Sequence, residues 1–242
     1  DGGASWQERS SNGNVEARPF YFATIAVDPS DPKRVYRPSF SLSISDDGGL
    51  SWSDAFSSSG WVHSDHHAMW INPNNTSHMY LGTDGGVYMS LDKGNNWMFL
   101  NNIPVSMSYH VTFDNASPYN VYTGLQDNGS WMAPSQAVGG ISNGDWKNIG
   151  GGDGFWVQPD RTNPDVVYSE YQGGHASRVN RKTNEYADIQ PQALPGEPKL
   201  RFNWNTPIYT SPTNPKSLYM GAQYLYKSSN QGVTWKKISP DL

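Results

Sequence analysis

The stretch Ser45-Asp46-Asp47-Gly48-Gly49-Leu50-Ser51-Trp52 decides the reading of this chain. It has the form Ser-x-Asp-x-Gly-x-x-Trp. The same order of residue types returns at Ser90-Leu91-Asp92-Lys93-Gly94-Asn95-Asn96-Trp97. With Asn230 in place of the aspartate, it returns again at Ser228-Ser229-Asn230-Gln231-Gly232-Val233-Thr234-Trp235. Asp1-Gly2-Gly3-Ala4-Ser5-Trp6 matches the later part of the pattern. Each residue type has a mechanical reason to be there. A short carboxylate or amide accepts hydrogen bonds from the turn's own N–H groups. Glycine permits positive φ. Tryptophan then opens a strand and packs between neighbouring sheets. Asp47, Trp52, Asp92, Trp97, Asn230 and Trp235 are therefore read as structural.

A second element recurs upstream of these corners. Val27-Asp28-Pro29-Ser30-Asp31-Pro32 precedes Arg34-Val35-Tyr36, and Ile71-Asn72-Pro73-Asn74-Asn75 precedes His78-Met79-Tyr80-Leu81. Further copies begin at Phe113-Asp114, Val157-Gln158-Pro159-Asp160 and Thr210-Ser211-Pro212. Each reads as a strand, a Pro/Asn turn and a second β-rich strand. Together the elements make a unit of four strands with the Ser-x-Asp corner between the third and fourth. Asp47 and Asp92 lie 45 residues apart, the spacing of one four-stranded propeller blade. The expectation is an all-β chain, a β-propeller of four-stranded antiparallel blades. About five complete blades are expected, at 20–56, 63–100, 106–149, 152–190 and 203–239. The third and fourth carry degenerate corners near Asn143-Gly144-Asp145-Trp146 and Lys182-Thr183-Asn184. Residues 1–10 read as the last strand of a preceding blade, which makes the chain a segment of a larger propeller whose remaining blades come from a longer parent protein.

Composition agrees with this class. Ten Trp, 14 Tyr and 8 Phe in 242 residues are far more aromatic than a disordered chain carries. The 24 Gly and 17 Pro suit many tight turns. A formal net charge of −5 argues against a nucleic-acid partner, where a basic face is expected. No apolar run approaches the ~20 residues that cross a membrane. With no cysteine, disulfide and thiol chemistry are absent.

The corners resemble the Asp boxes of BNR-repeat proteins, a group that includes sialidases, xyloglucanase-type glycosidases, the sortilin luminal domain and photosystem II assembly factors. The segments Arg18-Pro19-Phe20-Tyr21-Phe22, His63-Ser64-Asp65-His66-His67, Gly82-Thr83-Asp84-Gly85-Gly86, Gly124-Leu125-Gln126-Asp127-Asn128, Gly150-Gly151-Gly152-Asp153-Gly154, Arg201-Phe202-Asn203-Trp204 and Ile238-Ser239-Pro240-Asp241-Leu242 resemble bacterial exported proteins of the sortilin-like, BNR-repeat glycosyl hydrolase-like group. That resemblance implies a propeller and an extracellular or periplasmic location. The Arg-Ile-Pro motif of sialidases is missing, which sets that activity aside. Xyloglucanase-type enzymes place two aspartates in a cleft between two propellers, so only half of such a site is expected here.

Chemistry is expected on the ends of the blades away from the corners. The segments leading into each blade hold Glu16 and Arg18, then His63, Asp65, His66 and His67, then Tyr109 and His110, then Asp153, then Arg201, Asn203 and Trp204. The loops between second and third strands hold Asp84, then Gln126, Asp127 and Asn128, then Gln172 and His175, then Gln223. In an extended chain, His63, Asp65 and His67 share one side and could bind Zn²⁺ or a similar ion. The competing reading is that they hydrogen-bond between blades. Asp65, Asp127 and Asp153 are the candidate catalytic carboxylates, because glycosidic hydrolysis needs two. The glycine run around Asp153 lacks a P-loop's Lys-Ser/Thr and is expected to leave Asp153 exposed. His66, Tyr109, Gln126, Asn128, His175, Arg201 and Trp204 are candidate substrate contacts, the aromatic ones suited to stacking on sugar rings. Three readings stay open: a carbohydrate-active protein, hydrolytic or only glycan-binding; a protein- or peptide-binding scaffold; and a structural metal site at the histidines.

Overall fold

A computed structural model describes residues 1–11, 13, 15, 17–55, 62–103 and 105–242. Glu16 lies outside the described residues. The chain forms five four-stranded antiparallel sheets, each a meander of consecutive strands and each built as a propeller blade is. It divides into two compact units, Asp1–Val105 and Ser106–Leu242. Among the described residues, helical structure is confined to two three-residue 3-10 turns, Asn143–Asp145 and Gln172–Gly174.

The first unit holds two sheets. One comprises β1 (Ala26–Asp28), β2 (Asp31–Pro38), β3 (Leu42–Ser45) and β4 (Ser53–Asp54). The other comprises β5 (His66–Ile71), β6 (Met79–Thr83), β7 (Gly86–Ser90) and β8 (Met98–Phe99). Tyr36, Leu42 and Ile44 of the first pack on Ile71, Met79, Leu81 and Tyr88 of the second. Residues 1–10 carry a corner but no strand, a departure from the fourth strand expected there. A strand needs a neighbour to accept its ladder bonds, and none of the five sheets of the described residues extends to this segment.

The second unit holds three sheets. The first is β9 (Ser108–Phe113), β10 (Asn120–Leu125), β11 (Gly129–Pro134) and β12 (Lys147–Gly150). The next is β13 (Val157–Pro159), β14 (Val166–Tyr171), β15 (His175–Asn180) and β16 (Glu185–Asp188). The last is β17 (Ile208–Thr210), β18 (Leu218–Gly221), β19 (Leu225–Ser228) and β20 (Lys236–Lys237). Tyr122, Met132 and Ile149 meet Val157 and Val167, while Val166, Tyr168, Ala176 and Ile189 meet Ile208, Leu218 and Met220. The middle sheet is thus buried on both faces.

The corners satisfy their own backbone. Asp47 accepts the N–H groups of Leu50 and Ser51 at 2.9 Å each, and the Ser51 hydroxyl at 2.6 Å. Ser45 Oγ takes the Gly49 N–H at 2.8 Å, and the Trp52 indole donates to the Gly49 carbonyl at 3.0 Å. The hydrogen bonds from Ser51 hold the Asp47 carboxyl far below the usual carboxylate range. Asp92 with Ser90, Asn96 and Trp97 repeats the arrangement, as does Asp1 with Ser5 and Trp6. At Asn230 the amide oxygen takes the Thr234 N–H at 3.0 Å, but Trp235 reaches across to the Ile189 carbonyl at 2.7 Å. A Cβ on Gly232 would lie 2.7 Å from that of Ile189, so this corner can be seated only with glycine.

The turn joining first and second strands adds a joint between successive sheets. Asp114 accepts the hydroxyl of Tyr122, eight positions on, at 2.8 Å, and Asp160 accepts that of Tyr168 at the same spacing. Asp28, eight positions before Tyr36, instead receives Lys93 Nζ at 3.3 Å, while the Tyr36 hydroxyl donates to the Lys93 carbonyl. Lys93 lies in the corner of the following sheet. Gln231, at the matching place in the last sheet's corner, reaches back to Asp160 at 3.3 Å. Both residues adopt left-handed backbone, φ 61° and 58°, which aims their side chains backward. At Tyr122 an arginine serves instead, with Arg181 set over the ring. Burial alone would push these carboxyls up; the hydrogen bonds they accept outweigh it and hold Asp28, Asp114 and Asp160 below the ordinary range.

Tyr168→Phe removes one donor from a buried carboxylate. It is expected to destabilise the second unit by about 1.5–3 kcal/mol, measured as a lower urea midpoint at unchanged slope.

Candidate functional site

In the first unit the His63–His67 segment does not run as an extended strand. Asp65 takes left-handed backbone, φ 61°, and β5 starts only at His66, so the alternation that would put His63, Asp65 and His67 on one side is broken. Each side chain has its own partner. His63 Nδ1 lies 3.0 Å from the Ser64 carbonyl, Asp65 faces Arg18 at 3.4 Å, and His67 Nε2 lies 2.9 Å from Asp84 Oδ1. Tyr21 and Phe22 flank the His67 ring. Among the described residues, no histidine belongs to a group of three ligand side chains whose donor atoms converge. The set His63, Asp65 and His67 does not fit a metal ion.

His66, expected as a substrate contact, is a buried group. Its Nε2 lies 2.9 Å from the His63 carbonyl, and its backbone N–H donates to Ser39. Desolvation pushes its pKa down to about 4.

The second unit gathers more of the predicted residues. Asp153, expected to be exposed, is 5% accessible. The glycines around it let the chain fold inward rather than lift out: a Cβ on Gly154 would lie 2.4 Å from the Gly129 carbonyl oxygen. Asp153 Oδ1 then accepts the Asp127 N–H at 2.6 Å, and its own N–H donates to Gln172 Oε1 at 2.9 Å. Asp127 sits in left-handed backbone, φ 59°, at the tip of the β10–β11 turn. Asn128 Nδ2 closes that turn on the Gln126 carbonyl at 2.8 Å. The Tyr109 hydroxyl donates to Gln126 Oε1 at 3.2 Å. Burial, with Asp153 and Asp127 nearby, raises the Tyr109 pKa. Structure thus joins Tyr109, Gln126, Asp127, Asn128 and Asp153 in one bonded network.

Aromatic rings continue from it. Tyr109 packs edge-on against buried Phe155 at 4.5 Å, and Phe155 against Trp204 at 6.5 Å. Trp204 is 58% exposed. Its carbonyl accepts the Gly173 N–H at 3.1 Å. Gly173 in turn borders an open cleft of about 640 Å³ lined by His175, Gln190, Gln192, Glu197, Lys199 and Arg201, among others. His175 stacks on Tyr171 at 5.0 Å. Arg201 pairs with Asp241 at 2.9 Å, and Glu197 with Lys237 at 3.0 Å. The cleft therefore offers amides, an imidazole and cations, and the Trp204 backbone is bonded to its rim at Gly173.

Glu170 was not singled out in the sequence. It lies on β14 with no solvent exposure, Oε1 accepting the Thr206 N–H at 3.1 Å and Oε2 without a partner. Desolvation outweighs the peptide N–H groups near it and raises its pKa to about 8. Its one signal was a charged residue near the end of a β-rich run, Val166-Val167-Tyr168-Ser169-Glu170-Tyr171.

No known protein family matches the chain, and no curated protein matches it. Among solved structures, it is similar to the Niastella koreensis GH74 enzyme at 17% identity, with 92% of this chain and 39% of that one covered and a TM-score of 0.40. It is similar to the extracellular domain of the putative hybrid two component system BT3049 from B. thetaiotaomicron at 13% identity, covering 88% and 29%, TM-score 0.39. It is also similar to YCF48 from Cyanidioschyzon merolae at 12% identity, covering 88% and 83%, TM-score 0.34. The chain spans about two fifths of the GH74 enzyme's length. These likenesses concern fold only. No helix among the described residues is long and apolar enough to cross a membrane.

His66 sets a pH dependence. The unfolded imidazole takes a proton below about pH 6.5, the folded one only below about 4. The contribution of His66 to the stability of the first unit is therefore full above pH 6.5 and is expected to fall by on the order of 2–3 kcal/mol between 6.5 and 4. His66→Gln should flatten that slope in thermal melts.

Proposed function

We propose that this chain is an exported carbohydrate-binding protein whose ligand surface is the cleft and aromatic run of the second unit. The observation that carries the reading is Trp204, a largely exposed indole at the end of a packed ring series, whose backbone is bonded to Gly173 on the rim of a cleft rich in hydrogen-bonding groups. An indole face suits the C–H face of a pyranose. The Tyr109–Phe155 packing behind it fixes its place without further ordering on binding. Gln190, Gln192, His175, Lys199 and Arg201 can address ring hydroxyls or carboxylates, and the cleft is of the size that holds a short oligosaccharide.

Binding is favoured over hydrolysis in this unit. The two-carboxylate mechanism needs an acid and a base or nucleophile that both face the scissile bond. Asp153 is buried and its carboxylate accepts the Asp127 N–H, which makes it a support for the turn. Glu170 has the raised pKa of a general acid but no surface to meet a sugar. Tyr109, Gln126 and Asn128 are read as the polar margin of the same face.

Calorimetric titration with neutral and acidic plant-type oligosaccharides tests the reading. Saturable binding is expected, weakened roughly 10- to 100-fold by Trp204→Ala, the effect of losing an aromatic anchor. No reducing ends should be released. Absence of binding to any oligosaccharide at millimolar concentration, or full affinity in Trp204→Ala, would overturn it. Saturable binding of unglycosylated peptides instead would point to a scaffold.

A further inference from the structure

We propose that Glu170 is the positioning residue of the Trp204 turn, and that the proton it carries decides how firmly that turn is held. This rests on the reading of Trp204 as the ligand-bearing side chain, although the holding of the turn can be tested without ligand.

The segment Arg201–Thr206 has no strand bonds of its own before β17 and is pinned by side chains from three other elements. Gln223 Oε1 accepts the Arg201 N–H at 2.7 Å. Asn205 Nδ2 lies 3.2 Å from His110 Nε2 on β9. Glu170 Oε1 accepts the Thr206 N–H at 3.1 Å. Thr206 Oγ1 then closes the turn on the Asn203 carbonyl at 2.8 Å. Each of these three contacts leaves a polar atom at one of its ends buried and without a partner: Gln223 Nε2, Asn205 Oδ1 and Glu170 Oε2. Of these, Glu170 alone can change charge.

Its surroundings decide the direction. Among the described residues no charged side chain compensates it; the groups acting on its carboxyl are the peptide N–H groups of Thr206, Trp156 and Gly174. The titratable side chains on the packed elements have other partners than Glu170, His110 bonding Asn205 of the same turn. Asp153 holds Asp127, His110 stacks on Trp156, His175 stacks on Tyr171 and Arg201 pairs with Asp241. A neutral Glu170 fills its site at little cost. Once ionised, it gains a stronger bond to Thr206 but leaves a buried charged oxygen unsolvated, and the second effect is larger because the pKa moves up to about 8. Opening the Asn203–Thr206 turn admits water to that oxygen. Below pH 8 the turn is held; above it the turn loosens and Trp204 loses its fixed place. The same shift diminishes the contribution of Glu170 to the stability of the second unit as pH rises from about 4.5, where the unfolded carboxyl ionises, to about 8, where the folded one follows.

The test follows the indole without ligand. Acrylamide quenching is recorded from pH 6 to 9.5 on the intact chain and on Trp204→Phe, and the difference isolates Trp204. The difference signal should become more quenchable in a step near pH 8 and should be flat in the Glu170→Gln background, where the amide keeps an acceptor for Thr206 but no charge. Oligosaccharide affinity should weaken roughly fivefold over the same step, a coupling of ordinary size between linked sites, and be constant in Glu170→Gln. A difference signal flat across the range in the unsubstituted protein, or the same step with Gln at 170, overturns the proposal. If the Gln variant does not fold, the profile of the unsubstituted chain alone decides. A step in quenching with no oligosaccharide bound at pH 6.5 would leave the positioning role standing and remove the carbohydrate reading.

Discussion

Much of this structure depends on one constraint: a carboxylate buried at the end of a sheet must find donors, and here it finds some of them on the next sheet. Asp28 takes Lys93, and Asp160 takes both its own Tyr168 and the distant Gln231. An unpartnered carboxylate at those places would cost several kcal/mol. Sheets that pack through apolar faces alone could slide over one another, since such contacts have little direction. A directed bond at the rim fixes the register between sheets while the tyrosines and aliphatic side chains fill the space behind it.

The same logic, applied at the other ends of the sheets, yields surfaces of different character. In the first unit the polar residues are consumed by short-range pairing: His66 by a carbonyl, His67 by Asp84, Asp65 by Arg18. In the second, buried groups such as Asp153 and Gln223 hold backbone from beneath and leave larger side chains at the surface. An indole held from below by a packed ring and from the side by backbone bonds is a rigid contact. That rigidity gives the second unit the better claim as a binding surface.

The sheets were legible in the sequence because their signals are local. Ser-x-Asp-x-Gly-x-x-Trp encodes a turn within eight residues, and the Pro/Asn turns mark where strands reverse. The grouping of Tyr109, Gln126, Asp127, Asn128 and Asp153 followed from topology, since one end of each sheet collects its loops. Three things were not legible. His63, Asp65 and His67 appear aligned only if the chain is extended, and a single left-handed residue at Asp65 undoes the alignment. The burial of Asp153 depends on glycines folding toward Gly129, a contact with another turn. Glu170 stands in a strand enclosed on both faces, and a sequence does not show that a second sheet covers the side a charged residue would otherwise turn to water.

Lys93 and Gln231 occupy equivalent places but offer different chemistry to the preceding sheet, a cation in one case and an amide in the other. Asp160 already receives a tyrosine hydroxyl, whereas Asp28 does not. The seams are accordingly keyed. Within each unit, repeats that look interchangeable by their corners carry complementary halves of a joint. Exchanging one for another, in evolution or by recombination in the laboratory, would bring together halves that do not match. A sheet moved alone would leave half of its joint behind, so the unit that keeps its contacts whole spans two neighbouring sheets.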